Sequence, residues 1–422
     1  MPSSTAPVRG DSALVPGFVR CRLPERVPRE AVFALVLTNA GLLAGVARLL
    51  RLSAGRATVH PDVRLAWRPL ARAVAAGTPL YTAGAMDNKP PLFELLNVLA
   101  YLSDGYLVAL TLAVGLANGV AATCLWRACA VRGHARVGGL GALVFLWTLP
   151  LVNGAAVNVR SFAVAALLFA LVSDRPVARG LGVGCALCVS QHAVFAAPVV
   201  AYDGYRAAGR RSAWVGRFLL GLSGVVLAAF GTVFVVWGAP SLAGAVRATV
   251  GTAGPYLLAY GPSAWISTAT WTLATLRMHL RLWVLLAFAL WGGWLVGAAV
   301  RRADRWGPAH LALALLVALG LPLAVRPFVT YWLYPLPVVS LLAAVGIRAA
   351  LRGPTAGGPG ASRRLAVRET GTRTGTGTGG PEPARLGGAQ NSAAAASNAV
   401  PEKNPMAGSS RTVTTPATTT AA

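Results

Sequence analysis

The chain has 422 residues, 55% of them hydrophobic and only 12% charged, about half the charged share of an average soluble domain. That deficit excludes an ordinary soluble fold and fits a chain lying mostly in lipid. The net charge of +25, from 38 Lys and Arg against 13 Asp and Glu, would suggest nucleic acid in a soluble protein; here the arginines fall between apolar runs, which excludes that partner and reads as topology signals and lipid-headgroup contacts.

Residues 1–30 carry Arg9, Arg20, Arg22, Arg26 and Arg29 and belong in the cytoplasm by the positive-inside rule. No cleavable leader is evident, and 31–51 reads as a permanent first crossing helix. A first outer loop follows over 52–104. Within it, 91–103 is apolar but spans only about 20 Å as a helix, too short to cross, so it reads as interfacial or re-entrant.

Segment 106–126 returns to Arg127, Arg132 and Arg136; 138–153 leads out and 160–173 back in. The run 180–203 has arginines at both ends, so parity requires two short segments broken near Ser190-Gln191-His192 on the outer side, a break tolerated where it lines a polar cavity. Cys185 and Cys188, in CxxC spacing, sit inside this apolar run and read as packing residues. Segment 214–238 crosses out, and 239–281 is a second outer loop with Tyr256, Tyr260, Trp265 and Trp271 as interface residues. Segment 282–300 returns, and 308–324 and 328–348 close the set with Arg326 at their outer turn. The expected fold is an all-α polytopic bundle over 31–348 with about ten crossings and both termini cytoplasmic. The Gly-, Thr-, Ala- and Pro-rich tail 349–422 reads as disordered.

This topology leaves four carboxylates outside: Asp62, Asp87, Glu94 and Asp104. Lys89, Arg160, His192 and Arg326 fall at or near outer membrane ends, and Arg56, Arg64, Arg68 and Arg72 lie in the first loop. Two readings of these cations stay open: contacts to lipid headgroups, or a site for a phosphate-bearing ligand.

The stretch Asp87-Asn88-Lys89-Pro90-Pro91-Leu92, following Gly77-Thr78-Pro79-Leu80-Tyr81 and a first-loop Asp62, resembles the GT-C superfamily of membrane glycosyltransferases. The likeness is to the family of dolichyl-phosphate-mannose protein mannosyltransferases and aminoarabinose transferases. Ser190-Gln191-His192-Ala193-Val194 resembles that family's break in a helix, and Arg326-Pro327-Phe328-Val329-Thr330-Tyr331-Trp332 its late aromatic segment. The chain departs from the pattern with one first-loop acid in place of a pair, Arg160 near the usual Glu position, Thr330 for a late His and Ser190 for a Lys.

The resemblance implies a GT-C-type bundle that moves a hexose, such as mannose, from a polyprenyl or dolichyl phosphate to a lipid-linked or protein glycan acceptor outside the cytoplasm, with inversion. It implies Asp62 as general base and Asp87 as an orienting carboxylate. Lys89, Arg160, Arg326 and His192 would bind the donor phosphate. No cofactor is required for this chemistry; some relatives bind a divalent metal near the Lys-Pro-Pro motif, for which His192 and Asp87 would be the pair. Glu94 and Asp104 read as structural. The competing reading is a transporter or lipid-linked sugar flippase without transferase activity, for which mid-membrane charges and repeat symmetry are expected.

Overall fold

In a computed structural model of the chain, residues 28–251, 262–277, 279–303 and 305–352 are described, and every regular element among them is helical. The start of the N-terminal segment, Tyr256, Tyr260 and the tail from residue 353 lie outside the described residues. Helix α1 (Arg29–Ser53) is followed by a π-helical turn (Val63–Trp67) that runs into α2 (Arg68–Ala75). Next come α3 (Pro91–Leu102), α4 (Tyr106–Ala130), α5 (Ala135–Thr148), α6 (Val159–Val172), α7 (Pro176–Val189) and α8 (Ala197–Ala207). The long α9 (Ser212–Val246) precedes α10 (Pro262–Arg277), α11 (Leu280–Arg301), α12 (Pro308–Val325) and α13 (Leu336–Leu351).

Six of these helical segments, α1, α4, α5 with its 3-10 extension to Val152, α9, α11 and α12, are long and apolar enough to cross a membrane. Four shorter apolar helices, α3, α6, α7 and α13, join them. The chain is a multi-pass membrane protein. Leu43, Leu50, Leu220, Leu227, Val235 and Leu290 stay exposed on the helix surfaces, where lipid rather than water would cover them. The centre of the bundle is α4, whose Leu110, Val114, Ala121 and Ala122 are fully buried and which packs on α1, α5 and α6. Small residues allow that approach: a Cβ on Gly41 of α1 would run into the Gly119 backbone of α4, and one on Gly119 into Thr38. Apolar surface gains little by association in lipid, so close backbone contact of this kind holds the helices together.

Helix ends follow local chemistry. Proline opens the first turn of α2, α3, α7, α8, α12 and α13, where its missing N–H has no helical partner to lose. Pro69 sits where the π-helical turn passes without a break into α2, and Arg64, Arg68 and Arg72 all lie exposed. Helix α9 breaks at Gly238 (φ 82°, ψ −176°), two residues before Pro240, where the expected outward segment 214–238 ends. The expected second outer loop, 239–281, is largely helical where it is described. The stretch 180–203 divides as expected, into α7, a 3-10 turn (Gln191–Phe195) and α8. The last expected segment, 328–348, is helical only from Leu336; before it runs a 3-10 turn (Val329–Leu333).

At the opposite end of the bundle from that turn, Asp203 accepts from Arg132 Nη2 (2.8 Å) and Arg179 Nη1 (3.2 Å). The nearly buried Arg179 also donates to the carbonyls of Ser173 and Val200. Two arginines that read as topology signals thus lock the two halves of the broken segment to the α4–α5 turn, a buried charge held by pairing as it must be.

Candidate functional site

One end of the bundle opens into a cavity of about 580 Å3. Its walls come from the C-terminal end of α1 (Arg48), the following loop (Thr58, His60, Pro61, Asp62), the loop before α3 (Asn88, Lys89), the start of α6 (Val159, Arg160) and the broken segment (Ser190, Gln191, His192). Trp271 of α10 and the stretch Arg326–Tyr331 complete it. Residues as far apart in sequence as Arg48 and Tyr331 therefore meet in one concavity, and five of the six expected site residues are among them: Asp62, Lys89, Arg160, His192 and Arg326.

Asp87 is the exception. It lines a separate, shallower hollow of about 350 Å3 with Met86, Asn88, Arg247 and Ala248. Its Oδ2 accepts from Trp67 Nε1 (3.1 Å), its Oδ1 accepts from the Asn88 backbone N–H (2.6 Å), and Lys89 Nζ stands 3.7 Å away. Asp87 thus braces Lys89 from behind, and does not share a wall with His192. Among the described residues no group of three or more His, Cys, Asp and Glu is placed to hold a metal.

The loop that presents Lys89 is fixed by its neighbours. Tyr81 is almost wholly buried with φ 63°, a left-handed conformation costly for a residue with a Cβ, and its hydroxyl donates to the Lys89 carbonyl (2.6 Å). Gln191 Nε2 donates to the Asn88 carbonyl (3.2 Å) and ties the same loop to the broken segment. Asn97 donates to the Trp67 carbonyl (2.9 Å) and to Glu94 Oε2 (3.1 Å), and accepts from Tyr106 Oη (2.7 Å). Glu94, on the short α3, is fully buried. Burial first, then the neighbouring Asp87 carboxylate, push its pKa well above the usual carboxylate range. The Glu94 carboxyl faces Asp87 and accepts from Asn97. Glu94, read from the sequence as structural, is the floor of the Asp87 brace.

Arg160 opens α6, where Asn158 Oδ1 accepts its backbone N–H (2.8 Å) as a helix cap. Its guanidinium lies over the Tyr331 ring, 3.8 Å from the centroid. His192 meets the same ring edge-on at 5.2 Å. Burial, then Arg160, Lys89 and Arg326 in that order, bring His192 down to about 3, so it is a neutral imidazole at any physiological pH. Arg326 caps the end of α12 and is 5% exposed. Ser190 and Tyr334 share a hydrogen bond of 2.6 Å, which anchors the break in the α7–α8 segment to the late aromatic turn.

At the far wall, Asp62 is half exposed to the cavity, and its backbone N–H donates to His60 Nδ1 (3.2 Å). Since Nδ1 accepts, a neutral His60 carries its proton on Nε2. Burial above all, opposed by the Asp62 carboxylate and aided by Arg160, Arg48 and Lys89, holds His60 below the usual imidazole range. Arg48 donates through Nη2 to the Thr58 carbonyl (2.6 Å). The sequence reading missed Arg48, whose place beside Arg51 at a helix end is that of an ordinary headgroup contact. Arg56, Arg64, Arg68 and Arg72, by contrast, do not line the cavity.

No family model matches the chain, and no curated protein matches it. Among solved structures it is similar to the crystal structure of ArnT from Cupriavidus metallidurans bound to undecaprenyl phosphate, with a TM-score of 0.47 and 16% identity. The match covers 80% of this chain and 62% of that one, so the chain spans about three fifths of that structure's length.

Proposed function

We propose that this protein is an integral-membrane glycosyltransferase of GT-C type. It moves a hexose from a polyprenyl or dolichyl phosphate to an acceptor hydroxyl on the non-cytoplasmic side. The observation that carries this reading is the cavity itself, which gathers Lys89, Arg160 and Arg326 around a single lining carboxylate, Asp62. In the reaction, the acceptor oxygen attacks the anomeric carbon from the face opposite the phosphate. Its proton passes to Asp62 as the new C–O bond forms. The bond from the anomeric carbon to the phosphate oxygen breaks, and the electron pair leaves on a lipid phosphate monoester. Lys89, Arg160 and Arg326 stabilise that growing charge. Neutral His192 can donate a hydrogen bond, and Asp87 with Glu94 holds Lys89 in place. The step inverts the anomeric centre and draws on this chain's own residues throughout.

The test uses membranes containing the protein and a panel of radiolabelled polyprenyl- and dolichyl-phosphate sugars. Release of label from one donor, dependent on the protein, is the expected result. Movement of intact labelled lipid across the membrane, with no donor cleaved, would replace this reading with that of a flippase.

A further inference from the structure

The cavity's cations are not one cluster. Arg48 bonds to the Thr58 carbonyl, two residues before His60, whose Nδ1 stands 3.8 Å from Asp62 Oδ2, whereas Arg160 and His192 share the Tyr331 ring. Arg48, His60 and Asp62 therefore line one side of the cavity, and Arg160 and His192 with Tyr331 another. If the leaving phosphate sits among Lys89, Arg160 and Arg326, the anomeric carbon points toward Asp62, and the acceptor hydroxyl lies between that carbon and Asp62. Arg48 then faces the acceptor. Its one hydrogen bond to protein is to the Thr58 carbonyl, and among the described residues it has no carboxylate partner.

We infer that the acceptor carries an oxyanion, a carboxylate or a phosphate, beside the hydroxyl that attacks, and that Arg48 binds it. This rests on the transferase reading for the acceptor's identity, though not for the anion site. A guanidinium lining a cavity with its remaining N–H donors unused is suited to bidentate recognition of such a group, and a site built for a charged partner discriminates strongly against its neutral analogue.

The test uses the full chain in lipid nanodiscs with undecaprenyl phosphate in excess, so that the donor-phosphate end is occupied. Binding of methyl glucoside, methyl glucuronide and methyl glucoside 6-phosphate is followed by tryptophan fluorescence, since Trp271 lines the cavity. At least one anionic sugar is expected to bind tenfold or more tighter than the neutral one, and which of the two does so identifies the oxyanion. Arg48→Gln should bring the three within about threefold of one another, while Arg48→Lys retains part of the preference. Equal binding of all three, no binding by any, or a preference that persists in Arg48→Gln overturns the inference. Donor release is assayed on the same preparation. Donor cleavage without a charge preference removes the Arg48 assignment alone, and a preference without donor cleavage removes the transferase alone.

Discussion

Arg160 offers the sharpest quantitative prediction. Its guanidinium does two things at once: it stacks on Tyr331 at 3.8 Å and presents charge to the cavity. A desolvated cation–π contact contributes about 1–2 kcal/mol, and a charge-assisted hydrogen bond to phosphate about 1.5–3 kcal/mol. Arg160→Lys keeps the charge and loses the planar stack, so donor kcat/KM should fall roughly five- to thirtyfold by the usual conversion of 1.4 kcal/mol per decade. Arg160→Gln loses both, and the two terms together predict a fall of roughly a hundredfold or more. Tyr331→Phe preserves the ring face and should behave like the intact protein, whereas Tyr331→Leu should match Arg160→Lys. The assay is release of labelled sugar at varied donor concentration. Unchanged donor kinetics in Arg160→Gln, or a Tyr331→Phe variant as damaged as Tyr331→Leu, would refute the reasoning.

Three further outcomes follow from the brace around Lys89 and from the helix packing. Glu94 has its folded-state pKa raised, so the folded chain keeps a proton that the unfolded chain loses above about pH 4.3. Its contribution is full at acid pH and fades as pH rises toward the folded value; Glu94→Gln should be at least as stable as the intact protein at pH 8 and flatten that decline, and an intact protein that instead gains stability over the Gln variant with rising pH in thermal unfolding would contradict the assignment. Tyr81→Phe leaves the Lys89 carbonyl without its donor, at about 1–3 kcal/mol, so donor KM should rise roughly tenfold with the fold intact; an unchanged KM counts against the brace. Gly41→Leu drives a side chain into the Gly119 backbone and should abolish detergent-stable protein, while Gly216→Leu, which faces open space, should be tolerated; equal yields by size-exclusion chromatography would contradict the packing.

Much of this architecture could be read from the amino-acid order because lipid imposes a simple rule: apolar length and the placement of arginine set the crossings. The break at Ser190-Gln191-His192 was legible by parity alone, and Lys89, Arg160 and Arg326 stood out as cations in apolar surroundings. What was hidden depends on chain reversals. The turn at Gly55 (φ 68°) carries Thr58 back onto Arg48, and no local pattern signals that contact. Glu94 and Asp87 are seven positions apart in sequence, across a Pro-Pro corner, and their partnership shows only once α3 is packed against Trp67. Asp87, expected as an orienting carboxylate, stands 3.7 Å from Lys89 Nζ but lines a different hollow from Asp62.

The central claim is that Asp62 takes the acceptor's proton in this cavity. The most direct measurement compares Asp62→Asn with Asp87→Asn at matched abundance, on whichever lipid-phosphate sugar the intact protein cleaves. Asp62→Asn should lower kcat by about a hundredfold or more with donor KM little changed, as expected for loss of a general base. Asp87→Asn, acting through Lys89, should mainly raise donor KM. If Asp62→Asn cleaves donor at the intact rate while Asp87→Asn is inactive, the base has been misplaced and the account of the cavity fails at its centre.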